Sequence, residues 1–101
     1  MADFNDTDRE LATLAAALGA PARAHLIRVL VRKGPRTVKE LVAEVPLAQA
    51  TVSQHLAVLR DAGLVTARRE GATTVHQIDV PTLRRLGSMI GSLALSAAPG
   101  R

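Results

Sequence analysis

Apolar residues recur at helical spacing over the first 59 residues, switch to a β-branched alternation between Leu64 and Asp79, and return to helical spacing from Leu83 onward. Thr7-Asp8-Arg9-Glu10 is a capping-box sequence, and Leu11, Leu14, Ala15 and Leu18 then share one face, predicting a helix from Thr7 that Gly19 stops. A second helix is predicted from Pro21, a favoured first-turn residue, to Lys33, where Gly34-Pro35 ends it. Leu26, Ile27, Val29 and Leu30 make it largely core. Thr37-Val38-Lys39-Glu40 is another capping box and opens a short third helix through Leu41, Val42 and Val45, closed by Pro46. The hairpin pattern follows a fourth helix: Leu64 to Arg69 and Thr74 to Asp79 flank Glu70-Gly71-Ala72-Thr73 as two antiparallel strands. The last helix starts at Pro81 and gathers Leu83, Leu86, Gly87, Ile90, Leu93, Ala94 and Ala97 on one stripe.

The fourth helix, within PLAQATVSQHLAVLRDAGLV and ended by Gly63, carries the most chemistry. Val52, Leu56 and Leu59 stack on one side, while Gln49, Ser53 and Gln54 occupy the other with Ala50 and Ala57 among them. Gln offers a paired donor and acceptor to adenine, Ser bonds either base class, and Ala can touch a thymine methyl, so this face suits a major groove. Taken alone, the helix fits a solvated amphipathic surface equally well. Its setting favours the groove. Only Pro46 and Leu47 separate the third and fourth helices, which makes a helix-turn-helix, and the hairpin directly after it makes a wing. The expected fold is mainly α with a two-stranded β-wing, one domain over residues 1–101 with flexible tails at 1–6 and 98–101.

The first and last helices lie outside that three-helix centre and carry apolar stripes of their own. Two copies packing these helices together would bury Leu11, Leu14, Leu18, Leu83, Leu86, Ile90 and Leu93 in a homodimer; the alternative is that both helices cover one chain's core. With Phe4 the only aromatic residue, the core must be thin and aliphatic, and association adds burial that a chain of this size needs. The acidic start MADFNDTDRE lacks the features of a secretory signal, and the run from Leu86 to Pro99 is too short and too broken by Gly and Ser to span a bilayer. No membrane partner and a cytoplasmic location are therefore expected, and the absence of Cys is compatible with a reducing compartment.

Net charge is +4, but it is unevenly placed: residues 11–101 carry 12 basic and five acidic groups, a footprint suited to phosphate. Base contacts are expected from Gln49, Ser53 and Gln54, and a phosphate contact from Thr51 near the helix start. Arg68 and Arg69 alternate across the wing strand, so one faces DNA more directly, and both are expected to reach phosphate. His55 lies at the margin of the apolar arc, either as a supporting residue or as part of the DNA-binding set. His76 is either a backbone contact or a partly exposed strand residue. Arg23, Arg28, Arg32, Lys33, Arg36 and Lys39 form a basic belt whose default is a solvated face.

The segments LGAPARAHLIRVL and ATVSQHLAVLRDAGLVTARREG resemble the ArsR/SmtB family of bacterial winged-helix repressors, a resemblance covering about residues 11–86. Its most specific part is Ser53-Gln54-His55-Leu56 followed by Gly63-Leu64. The resemblance implies a homodimeric repressor that binds an inverted-repeat operator in double-stranded DNA and leaves it when an effector, often a metal ion, binds. This chain departs from the metal-sensing pattern. Val42 and Glu44 stand where thiophilic-metal sensors carry cysteines, and after His76 there is no His and only one acid, Asp79, to supply a site on the last helix. His25, His55 and His76 fall on three different elements, so no metal site and no cofactor are expected, and the effector is unassigned. Ala72 replaces a frequent wing-tip Arg, and Ala20 and Ala48 lack the side-chain oxygen of a good helix cap.

No enzyme chemistry is legible. Ser53, His55 and Asp61 share one helix, but Ser and His two residues apart point about 200° from each other. The expected function is therefore a DNA-binding transcriptional regulator. The competing readings are a winged-helix module that binds protein or only dimerises, and a repressor that senses metal through an atypical site.

Overall fold

The structure, a computed structural model, describes residues 3–100. In chain order it contains α1 (Asp6–Ala17), α2 (Pro21–Lys33), β1 (Arg36–Thr37), α3 (Val38–Val42), α4 (Gln49–Asp61), β2 (Val65–Glu70), β3 (Thr73–Ile78) and α5 (Val80–Ser96). Three helices enclose the centre. Leu26, Ile27, Val29 and Leu30 from α2 meet Leu41 of α3 and Val52, Leu56 and Leu59 of α4, and Leu64 and Val65 close the cluster where the wing begins. The three residues of α4 are completely buried, as a spacing of four and three residues along one helix face requires.

The exit from α4 explains why Gly63-Leu64 follows it. Gly63 takes φ +85°, its N–H donates to the Arg60 carbonyl at 2.9 Å, and the Leu64 N–H donates to the Leu59 carbonyl at 3.0 Å. These two bonds and the buried Leu59–Leu64 pair make a Schellman ending, which delivers the chain straight into β2. The hairpin strands keep the predicted six residues each but sit one residue nearer the turn. Glu70 and Thr73 are paired, so the loop shrinks from four residues to Gly71-Ala72, with φ +61° at Gly71 alone, as a type II′ turn requires.

The sheet has a third strand that the sequence pattern does not announce. β1 pairs antiparallel with β3 through Arg36↔His76 and Thr37↔Val75, placing β3 in the middle of the order β1-β3-β2. Two residues are too few to show a period. Thr37 is also the cap of α3: its hydroxyl accepts from the Glu40 N–H at 3.2 Å, and the Glu40 carboxylate accepts from the Thr37 N–H at 3.0 Å. The start of the helix-turn-helix is thereby hydrogen-bonded to the wing.

The cap of α1 lies two residues earlier than the Thr7 capping box predicts. Asn5 is the cap, its side chain accepting from the Asp8 N–H at 2.8 Å, and Glu10 instead pairs with Arg85 of α5. Residues 5 and 6 are therefore not tail; Met1, Ala2 and Arg101, also read as tail, lie outside the described residues. The helices α1 and α2 meet at 91°. The placement of α1 and α5 corrects part of the dimer expectation. Leu14 and Leu86 are 2% and 3% exposed and belong to this chain's own core, while Leu11, Leu18 and Leu83 are half-buried against it. Ile90 and Leu93, at 51% and 61%, remain open, joined by Leu95. No single helix among the described residues is long and apolar enough to cross a membrane.

Candidate nucleic-acid interface

Gln49, Ala50, Ser53 and Gln54 are exposed on the outer face of α4, opposite the buried Val52, Leu56 and Leu59. Thr51 and His55, four residues apart, are half-buried along one margin of that face. The α4 start has no side-chain cap, because Ala48 stands at that position, so first-turn N–H groups beside Thr51 are free for an outside acceptor. Between α4 and the wing lies a cleft of about 440 Å³, lined by Ser53, Leu56 and Arg60 on one side and Ala67, Thr74 and His76 on the other.

Strand register separates the two wing arginines. Directly opposed residues in an antiparallel pair share a face. Arg69 opposes Thr74 and Ala67 opposes His76, so Arg69 lies on the face that looks toward α4. Arg68 lies on the other face, where its guanidinium donates to Glu70 at 2.8 Å and also to the Gln77 side-chain oxygen.

The histidines are each held separately. His25 Nε2 is 3.0 Å from the Glu44 carbonyl oxygen. His55 Nδ1 is 3.2 Å from Arg23 Nη1, and His76 Nε2 is 3.1 Å from Arg60 Nη1. Arginine can only donate, so each of these last two imidazoles must accept there and carry its proton on the other nitrogen. Sequence reasoning placed His76 as a backbone contact or a partly exposed strand residue; at 3% exposure it is neither, because it lies on the face of β3 turned toward Arg60 of α4. Its Nδ1 finds no partner among the described residues, which costs about 1–3 kcal/mol for a buried donor.

Burial, reinforced by the Arg60 charge, holds the His76 pKa below the ordinary imidazole value of 6.5. The fold thus favours the neutral ring, and the unfolded chain binds the proton first. The stability contributed is complete above about pH 6.5 and is lost progressively as pH falls toward the depressed folded value. Urea midpoints should therefore drop between pH 7.5 and 5.5, with the drop diminished in His76→Gln. An equal drop in both proteins would remove His76 as its source.

The donor set for a metal does not fit. Among the described residues no three His, Asp or Glu side chains converge, and Glu44 is engaged by Lys33, whose hydrogen bond lowers its carboxyl pKa. The basic belt also divides. Lys33 and Arg23 are tied within the chain, whereas Arg28, Arg32 and Lys39 are exposed.

The family described as "Bacterial regulatory protein, arsR family" matches residues 20–67, from the cap of α2 through α4 into β2. An uncharacterized helix-turn-helix transcriptional regulator of Methanocaldococcus jannaschii is 30% identical, over 76% of this chain and 86% of that protein. The biofilm growth-associated repressor of Agrobacterium fabrum is 39% identical over 76% of this chain and 65% of its own length. Two Mycobacterium tuberculosis relatives are likewise spanned for only 60% of their length. Among solved structures, the homodimeric winged helix-turn-helix DNA-binding domain of a possible ArsR-family regulator from Mycobacterium bovis superposes with a TM-score of 0.69. Its identity is 27%, over 100% of this chain and 99% of that one. Helix-turn-helix, wing and these likenesses agree, and the chain belongs to the ArsR family of DNA-binding transcriptional regulators, which are not enzymes.

Proposed function

We propose that this chain is a cytoplasmic repressor that binds an inverted-repeat operator as a homodimer, reading bases with Gln49, Ser53 and Gln54. The observation that carries this is the exposed amide and hydroxyl face of α4, set on a completely buried aliphatic back and flanked by the wing on one side. Thr51 and the uncapped first turn of α4 serve a phosphate. Support for the dimer comes from the open Ile90 and Leu93 of α5, from Leu11, Leu18 and Leu83, which the chain's own core leaves half-buried, and from the homodimeric Mycobacterium bovis relative. Support for repression comes from the Agrobacterium relative.

On the wing, Arg69 is the principal phosphate contact, because it shares the α4-facing side and Arg68 is already engaged by Glu70 and Gln77. Fluorescence anisotropy on a bound duplex at several salt concentrations tests this. Arg69→Ala should lower the salt slope by about one per lost phosphate contact and weaken all sequences alike, whereas Arg68→Ala should change it less. A larger slope change for Arg68→Ala would reverse the assignment. Unchanged slopes in both would take the wing off the DNA backbone.

A further inference from the structure

One side chain joins three helices at the edge of the reading face. Arg23, in the first turn of α2, donates Nε–H to the Ala17 carbonyl at 2.6 Å and Nη2–H to the Ala16 carbonyl at 3.4 Å, both at the C-terminal end of α1. From the same guanidinium, Nη1–H reaches His55 Nδ1 at 3.2 Å, on α4 and 32 residues away in sequence. The carbonyls at a helix C-terminus carry partial negative charge, and although that of Ala16 also accepts the Gly19 N–H at 3.0 Å, the guanidinium bridging it to the Ala17 carbonyl is held there by two acceptors. The planar fork then fixes where its remaining arm points. Because Arg23 cannot accept, the His55 ring is locked with its proton on Nε2.

We propose that Arg23 is a positioning residue that pins the reading helix α4 to the end of α1, and so sets the spacing and orientation of the two reading helices in the bound dimer. This rests on the dimeric DNA-binding reading above, in which α1 and α5 pack at the seam between copies. α1 is tied to α5 by Glu10 and Arg85, so the chain of contacts runs from α5 through α1 and Arg23 to His55 without a flexible loop between. Half-sites must be one helical turn apart for both helices to enter the groove. A loosened α4 tolerates a wrong spacing better and gains less from the right one. Lysine at position 23 cannot replace the fork, since one ammonium cannot hold two α1 carbonyls and the ring in the same geometry.

The test uses the full chain and the inverted repeat recovered by selection from random duplexes, together with versions carrying one or two base pairs inserted or removed at its centre. Wild type should prefer the recovered spacing. Arg23→Ala and His55→Ala should each shrink that preference by about tenfold, and the double variant should shrink it no further than either alone. His55→Asn, whose Oδ1 stands where Nδ1 stood, should restore the preference relative to His55→Ala whatever happens to overall affinity. If Arg23→Ala fails to fold, the His55 pair decides. Preferences equal to wild type in folded Arg23→Ala or His55→Ala, or the same loss in His55→Ala and His55→Asn, overturn the proposal. A readout without DNA separates this from the dimeric reading: long-range 1H–15N spectra should show His55 as the Nε2–H tautomer in wild type and as a mixture in Arg23→Ala. A mixture already present in wild type overturns the pin even if no duplex is ever bound.

Discussion

Replacing both Ser53 and Gln54 by alanine should abolish most of the discrimination between the operator and unrelated duplex, at about 1–3 kcal/mol per lost base contact. Each side chain is presented twice in a dimer, so the loss is counted at both half-sites. Both residues are exposed on α4, and neither belongs to the packed face, so the variant should keep its fold. Non-specific binding should change little, because the cations that meet phosphate are untouched. Competition binding with operator and scrambled duplexes measures the ratio. A double variant that folds and still prefers the operator as strongly as wild type would place the reading face elsewhere.

Leu56→Ala should cost stability instead. Leu56 is completely buried, one helical turn beyond Val52 and against the cluster formed by α2, α3 and α4. Truncating a core leucine removes apolar burial and leaves a cavity, together worth about 2–5 kcal/mol. Domains of this size commonly have only about 5–15 kcal/mol in total, and a single Phe leaves aliphatic side chains to fill the centre. The urea midpoint should fall accordingly, and operator affinity should fall only as far as the folded fraction does. An unfolding free energy within about 0.5 kcal/mol of wild type, the range of surface substitutions, would mean that α4 is not anchored through its aliphatic back.

The elements with a long period were legible. α2 and α4 emerge with the expected faces because four buried residues in one and three in the other follow the 3.6-residue repeat. The α3 capping box was legible for the same local reason, since its bonds lie within four residues. What sequence reasoning missed depends on distant partners. β1 exists only because β3 lies alongside, and Glu10 forsook its local capping role for Arg85, 75 residues away. Leu14 and Leu86 looked like the rest of their apolar stripes, and only the packing of α1 and α5 shows that they are buried in this chain's own core. The same limit applied at the site. Arg23 reads as part of a solvated basic belt and Arg68 as a phosphate contact, yet each is held by acceptors that no spacing rule reveals, while the buried state of His76 follows from its facing Arg60 of α4. The exposed reading face needed no distant information: Gln54 is outward because Val52, Leu56 and Leu59 are inward, and Gln49 and Ser53 are exposed on one flank of that stripe, Gln49 at the first position of the helix.

The central claim is that paired α4 helices read an inverted repeat. Selection of random duplexes on the full chain at low salt, followed by sequencing of the retained pool, tests it most directly. The account predicts enrichment of a short inverted repeat with half-site centres about 34 Å apart and retention that falls steeply as salt is raised. A pool with no enriched motif, or no DNA retained at low salt, would contradict it and favour a winged helix that binds protein or serves only to dimerise.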